Sequence, residues 1–105
     1  MTWIILILAG LLEVAWAVGL KYTDGFSKLV PTVLTLSAMA GSVGLLGLAL
    51  RALPLGTAYA IWTGIGTVGT VIYGIAVLNE PAGALRLACI AMIIGGIVGL
   101  KVSTV

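Results

Sequence analysis

Residues Val30 to Leu50 read VPTVLTLSAMAGSVGLLGLAL, an apolar run without a single Asp, Glu, Lys or Arg. A helix needs about 20 such residues to cross the hydrocarbon core of a bilayer, so this stretch decides the class of fold. Runs of the same character lie on either side. Trp3 to Leu20 precedes it, interrupted by one acid, Glu13. Pro54 to Leu78 follows without a charge. Ala82 to Leu100 carries only Arg86 near its start, where a long side chain can reach the headgroups. A β-barrel would need alternating strands of about 10 residues, and these runs are continuous. Backbone in lipid must satisfy its own hydrogen bonds, which a helix does. The expectation is an all-α membrane protein, a single four-helix transmembrane domain over residues 1–105 with helices near 3–20, 30–50, 54–78 and 82–100.

Composition points the same way. The chain is 62% hydrophobic and only 8% charged, against about 25% charged in a soluble domain. That excludes a disordered chain, a coiled coil, a solvated enzyme domain and a nucleic-acid binder. The short connectors hold nearly every charge, and Pro31, Pro54 and Pro81 sit in or beside them, where a missing N–H costs least. Ala15-Trp16-Ala17 looks like a signal-peptidase site, but no Lys or Arg precedes the apolar run and Glu13 sits just before the cut. Gly64-Ile65-Gly66-Thr67-Val68-Gly69 matches the dinucleotide fingerprint as text. It lies mid-span, where small residues serve close helix contact instead. Cys89 is the one cysteine and there is no histidine, so neither a disulfide nor a metal or other cofactor is expected.

Four spans put both termini and the second connector on one side, with Arg51 and Lys101. The other two connectors carry Lys21, Lys28 and Arg86. Orientation follows the Lys/Arg asymmetry of short loops, and two against three hardly sets it. Insertion in both directions is the expectation. Four helices are also too few to enclose a polar pathway, and Ala91, Gly95 and Gly99 form a ladder of small residues that lets helices approach. A dimer is the simplest assembly. Antiparallel copies would reproduce the inverted repeats that many transporters carry in one chain.

Glu13 is the only ionisable residue deep inside any span. A charge at a helix centre costs about 2.5–3.5 kcal/mol, so such a residue is expected to face a cavity and handle protons or charged substrates. A structural hydrogen bond to a neighbouring helix is the alternative. At about 100° per residue, Leu6, Ala9, Gly10, Trp16, Ala17 and Leu20 share its face. Tyr59, Trp62, Thr63, Gly66, Thr70 and Tyr73 share one face of the third span, and Thr35 and Ser42 one face of the second. A hydroxyl mid-membrane can also bond its own backbone, and Trp3 and Tyr22 fit interface anchors. A carboxylate flanked by ring faces is the chemistry of a cation site. Desolvation favours the neutral acid, so protons can exchange for a cation, which is transport and not enzymology.

Three stretches carry a resemblance. They are Gly10-Leu11-Leu12-Glu13-Val14-Ala15-Trp16-Ala17 continuing into Gly19-Leu20-Lys21-Tyr22, Leu53-Pro54-Leu55-Gly56-Thr57-Ala58-Tyr59-Ala60-Ile61-Trp62-Thr63-Gly64-Ile65-Gly66, and Gly95-Gly96-Ile97-Val98-Gly99-Leu100-Lys101. With them the whole chain resembles the small multidrug resistance transporters, and most closely their guanidinium-exporter subfamily. The resemblance implies an antiparallel, dual-topology homodimer in the lipid of the inner membrane. It implies that Glu13 of both subunits forms one proton and substrate site, lined by Trp16, Ser42, Tyr59 and Trp62. Gly95, Gly96 and Gly99 would lie in the dimer contact, and Gly64, Gly66 and Gly69 would let the third helix bend. The expected activity is exchange of guanidinium for protons, two per cation. The alternatives are a polyspecific exporter of quaternary ammonium and other hydrophobic cations, or a structural or partner subunit without transport of its own.

Overall fold

In the computed structural model, which describes residues 2–103, four helices follow one another: α1 Thr2–Tyr22, α2 Leu29–Ala49, α3 Leu55–Val77 and α4 Ala84–Ser103. Met1, Thr104 and Val105, the ends of the expected 1–105 unit, lie outside the described residues. Each helix is long and apolar enough to cross a bilayer, and no strand occurs among the described residues. Three ends differ from the sequence expectation by two residues or more, among them the end of α4, which runs to Ser103 rather than 100. α1 continues through Lys21 to Tyr22, because a helix need not stop where the hydrocarbon does and a lysine in the last turn suits the helix dipole. α4 starts at Ala84 rather than near 82. Pro81 disfavours helical backbone at Glu80, and Gly83 is a poor helix former.

The connectors are tight. Between α1 and α2, Asp24, Gly25 and Phe26 all have positive φ, at 50°, 69° and 68°. Thr23 holds this turn: its hydroxyl donates to the Leu20 carbonyl at 2.8 Å and accepts the Phe26 N–H at 3.2 Å. After α3, Asn79 takes φ 58°, and the Gly74 carbonyl accepts N–H groups from both Leu78 and Glu80.

α1 is the central helix, with α2 and α3 packed along it. Missing side chains set how closely they pack. A Cβ on Gly19 would strike Thr35, and one on Gly10 would strike Ile65. A Cβ on Gly69 would strike Val14, and one on Gly64 would strike Ile97 of α4. The small core joins Leu6 and Ala9 of α1, Leu46 and Ala49 of α2, and Ala58, Ile61 and Trp62 of α3. α4 differs: its backbone comes close to α3 alone, and none of its residues is buried. The whole measures 43 × 35 × 17 Å. That is a slab less than two helix diameters thick, so a site on its face stays open on one side.

Candidate functional site

Glu13 lies midway along α1, on the side that faces α3. Its carboxyl rests against Gly66, where any Cβ would overlap it. The room for this acid is therefore made by an absent side chain about three turns into α3. With Ala17, Gly66, Thr67, Thr70 and Val71, Glu13 lines an open groove of about 290 Å³ between α1 and α3. Its Oε1 is buried without a hydrogen-bond partner, as are the Trp16 Nε1 and the Thr63 Oγ1. Most buried polar atoms in proteins are paired, and leaving one unpaired costs about 1–3 kcal/mol. Thr63 stands apart from its neighbours in this respect. Thr67 donates to the Thr63 carbonyl of its own helix at 2.8 Å and Thr32 to the Lys28 carbonyl just before α2 at 2.6 Å, whereas the Thr63 hydroxyl makes no such bond.

One turn before Glu13, a second polar cluster is fully paired. The Trp62 indole N–H donates to Ser42 Oγ at 2.9 Å, and the Ser42 hydroxyl donates to the Ala9 carbonyl at 2.6 Å. This chain of bonds ties α3 to α2 and α2 to α1. The Ala9 carbonyl is also the one that a regular helix offers to the Glu13 N–H, so Ser42 is anchored to the turn that carries the acid. Ser42 does not bond its own backbone; it is buried against another helix. Tyr59 packs its ring 5.5 Å from that of Trp62, tilted by 52°, and is itself 53% exposed.

Ser42, Tyr59 and Trp62 thus come together, with Glu13 one turn away along α1. Trp16 packs on the edge of the core. Among the described residues no hydrogen bond joins Glu13 to any of these four side chains. Gly64, Gly66 and Gly69 lie in an unbroken α3 and are each covered by a neighbouring side chain. Gly95, Gly96 and Gly99 are the opposite: a Cβ on any of them would meet nothing within 4 Å.

Two features escaped the sequence reading. One is Thr63, which the sequence groups with Tyr59, Trp62 and Gly66 on one face of the third span without giving it a role. The other is a second cavity of about 240 Å³ that shares Ala17, Thr70 and Val71 with the groove and is lined among others by Lys21, Tyr73, Gly74, Glu80 and Arg86. Arg86, expected to reach for headgroups, instead bonds Glu80 at 3.0 Å. An acid at the C-terminus of a helix opposes the helix dipole, and that conflict was the available signal that Glu80 needs a cationic partner. Beside this cavity the hydroxyls of Tyr22 and Tyr73 meet at 2.6 Å, so Tyr22 is a link between α1 and α3 as well as an anchor.

The family model of the Small Multidrug Resistance protein matches residues 1–93. A protein of Escherichia coli strain K12 named "Guanidinium exporter" is 62% identical over 104 residues, 99% of each chain. Proteins of the same name from Proteus vulgaris and Citrobacter freundii are 60% and 56% identical over 99% of this chain, covering 100% and 99% of their own lengths. With four spans, a family model over most of its length and relatives this near, the chain belongs to the Small Multidrug Resistance family and is an integral multi-pass protein of the inner membrane.

Proposed function

We propose that the chain exports guanidinium in exchange for protons, working as an antiparallel, dual-topology homodimer around a shared pair of Glu13 carboxyl groups. The observation that carries this reading is the buried, unpartnered Glu13 oxygen on an open groove. It is an acceptor in need of a donor, and guanidinium is a planar cation with only donors to offer, arranged in pairs that fit a carboxylate. The names of the relatives favour the same cation. Trp16, Tyr59 and Trp62 supply ring faces, which attract a desolvated cation by about 2 kcal/mol, and Ser42 fixes the Trp62 ring.

The slab is too thin to close over a cation by itself, and α4 offers an uncovered face with Gly95, Gly96 and Gly99 open to close approach. A second copy packed there completes the enclosure. An antiparallel arrangement suits the nearly even loop charges and sets one Glu13 from each subunit beside one cavity. Glycines at 64, 66 and 69 leave α3 free to bend differently in the two copies.

Two carboxylates in one low-dielectric site resist ionising together, so their protons are released as a coupled pair. A monocation entering the site screens both and favours loss of both protons. Rebinding of two protons on the far side expels the cation. Two charges enter and one leaves, so each cycle moves one net charge inward, and the membrane potential contributes about 2.3 kcal/mol per 100 mV.

The test is reconstitution into proteoliposomes with a pH gradient. Guanidinium should accumulate against its gradient, and a guanidinium jump should give a current whose reversal potential fits two protons per cation. Flux without current rejects the stoichiometry. Preference for tetramethylammonium over guanidinium rejects the substrate, and no flux of any cation rejects transport by this chain alone.

A further inference from the structure

The cavity beside the Glu13 groove is lined by an acid that already holds a guanidinium group. We propose that Glu80 is an outer docking site for the guanidinium ion on its way to or from Glu13, with the side-chain guanidinium of Arg86 as the group that the free ion displaces. This rests on the guanidinium reading of the Glu13 site.

Chemistry and geometry agree on it. Arg86 Nη2 lies 3.0 Å from Glu80 Oε1, with the two side chains 36% and 41% exposed. A bond that open to water is weak and separable, and the free ion presents the same donors without the cost of confining a long side chain. The acid is held in place by its backbone. The Glu80 N–H donates to the Gly74 carbonyl at 3.0 Å, and the carboxyl folds back against Gly74, where a Cβ would collide with it. The carboxylate is thereby turned onto α3 and lines the cavity of about 240 Å³. That cavity shares Ala17, Thr70 and Val71 with the groove of about 290 Å³ at Glu13. The two cavities are therefore neighbours on the α1–α3 face, with Thr67, Thr70 and Tyr73 along their α3 side.

Lys21 lines the same outer cavity. Its charge repels a docked cation and keeps the site weak, which a station on a path requires, since an ion must leave as readily as it arrives. Position at the C-terminus of α3 works the other way, because the helix dipole there favours a cation beside Glu80.

Initial rates of guanidinium uptake into proteoliposomes test this with two substitutions at the same bond. Glu80→Gln removes the docking charge and should raise the apparent KM about two- to fivefold, as expected for one exposed ion pair. Arg86→Gln removes the competitor and should lower the apparent KM by a similar factor. The maximal rate and proton coupling should stay unchanged in both, and Glu80→Asp should restore most of the loss. If the pair is only a structural tie, both substitutions break the same bond and shift KM in the same direction. That outcome, or no shift in either, overturns the docking site while unmodified protein still accumulates guanidinium. Absence of guanidinium flux in the unmodified protein overturns the proposed function and this site with it.

Discussion

Two polar clusters sit one helical turn apart on α1 and have opposite histories of satisfaction. At Ala9, every buried group is paired: the carbonyl, the Ser42 hydroxyl and the Trp62 indole form one chain across three helices. At Glu13, a carboxylate oxygen, an indole N–H and a threonine hydroxyl are buried without partners. Leaving a buried polar group unpaired costs about 1–3 kcal/mol, so three such groups on α1 and α3 call for a use. The paired cluster fixes the helices; the unpaired one is ready for something that is not part of the chain. That division can be broken or sharpened by mutation.

The largest effect is expected at the acid itself. Glu13→Gln keeps the shape of the side chain but can neither carry the exchangeable proton nor balance a bound cation. Proton-driven accumulation of guanidinium should disappear, while the helical content and assembly seen by circular dichroism and size-exclusion chromatography remain. Continued accumulation against a gradient would make the carboxyl a structural group and dissolve the contrast.

Gly66 comes next. A methyl group there overlaps the Glu13 carboxyl, so Gly66→Ala should displace the acid and cut flux by an order of magnitude or so. Overpacking also costs about 1–3 kcal/mol of stability. Gly69→Ala separates the two consequences, since its methyl would meet the apolar Val14. Similar destabilisation with largely preserved flux per folded protein is expected of it. Equal flux losses would mean that general packing, and not the seat of Glu13, is what Gly66 provides.

The paired cluster should respond in stability. Ser42→Ala leaves the Ala9 carbonyl short of one donor and the Trp62 N–H without an acceptor. Hydrogen bonds between membrane helices average about 0.6 kcal/mol and reach about 1.7, and two are lost here, so a cost of about 1 kcal/mol is expected from denaturant titration in detergent. Ser37→Ala, on the exposed side of the same helix, should change nothing. Flux through Ser42→Ala should fall less than through Glu13→Gln, because the Trp62 ring loosens but the charge stays.

Much of this was legible beforehand. Four charge-free or nearly charge-free runs can only be spans, and one acid inside the first names its own importance. What the sequence could not convey was pairing. Ser42 and Thr63 are both hydroxyls in the middle of a helix, with the same local choices open to them. Ser42 bonds a carbonyl on α1 because Ala9 lets α2 approach closely, and Thr63 bonds nothing. The spacing of residues along one helix holds no record of which small residue lies across from it on another. The Glu80–Arg86 pair was missed for a related reason. Its members were assigned to a connector and a helix start, and only the fold over Gly74 brings them to the same cavity as Lys21.

The smallest expected effect bears most directly on what the unpaired cluster is for. Thr63→Val replaces a hydroxyl by a methyl of nearly the same volume. On the protein alone the change should be neutral or slightly stabilising, because it removes a buried polar atom that has no partner. If that hydroxyl serves the transported cation or its water, apparent affinity should fall by the low end of one hydrogen bond, about 0.5 kcal/mol or roughly twofold. Thr67→Val supplies the comparison, since the Thr67 hydroxyl already donates to the Thr63 carbonyl at 2.8 Å and needs no other partner. Guanidinium uptake measured over a concentration series would resolve a twofold change in KM between the two variants. A gain in stability for Thr63→Val with KM unmoved would show that the hydroxyl serves neither the cation nor the subunit contact, and would leave the Glu13 oxygen as the acceptor that waits for the ligand.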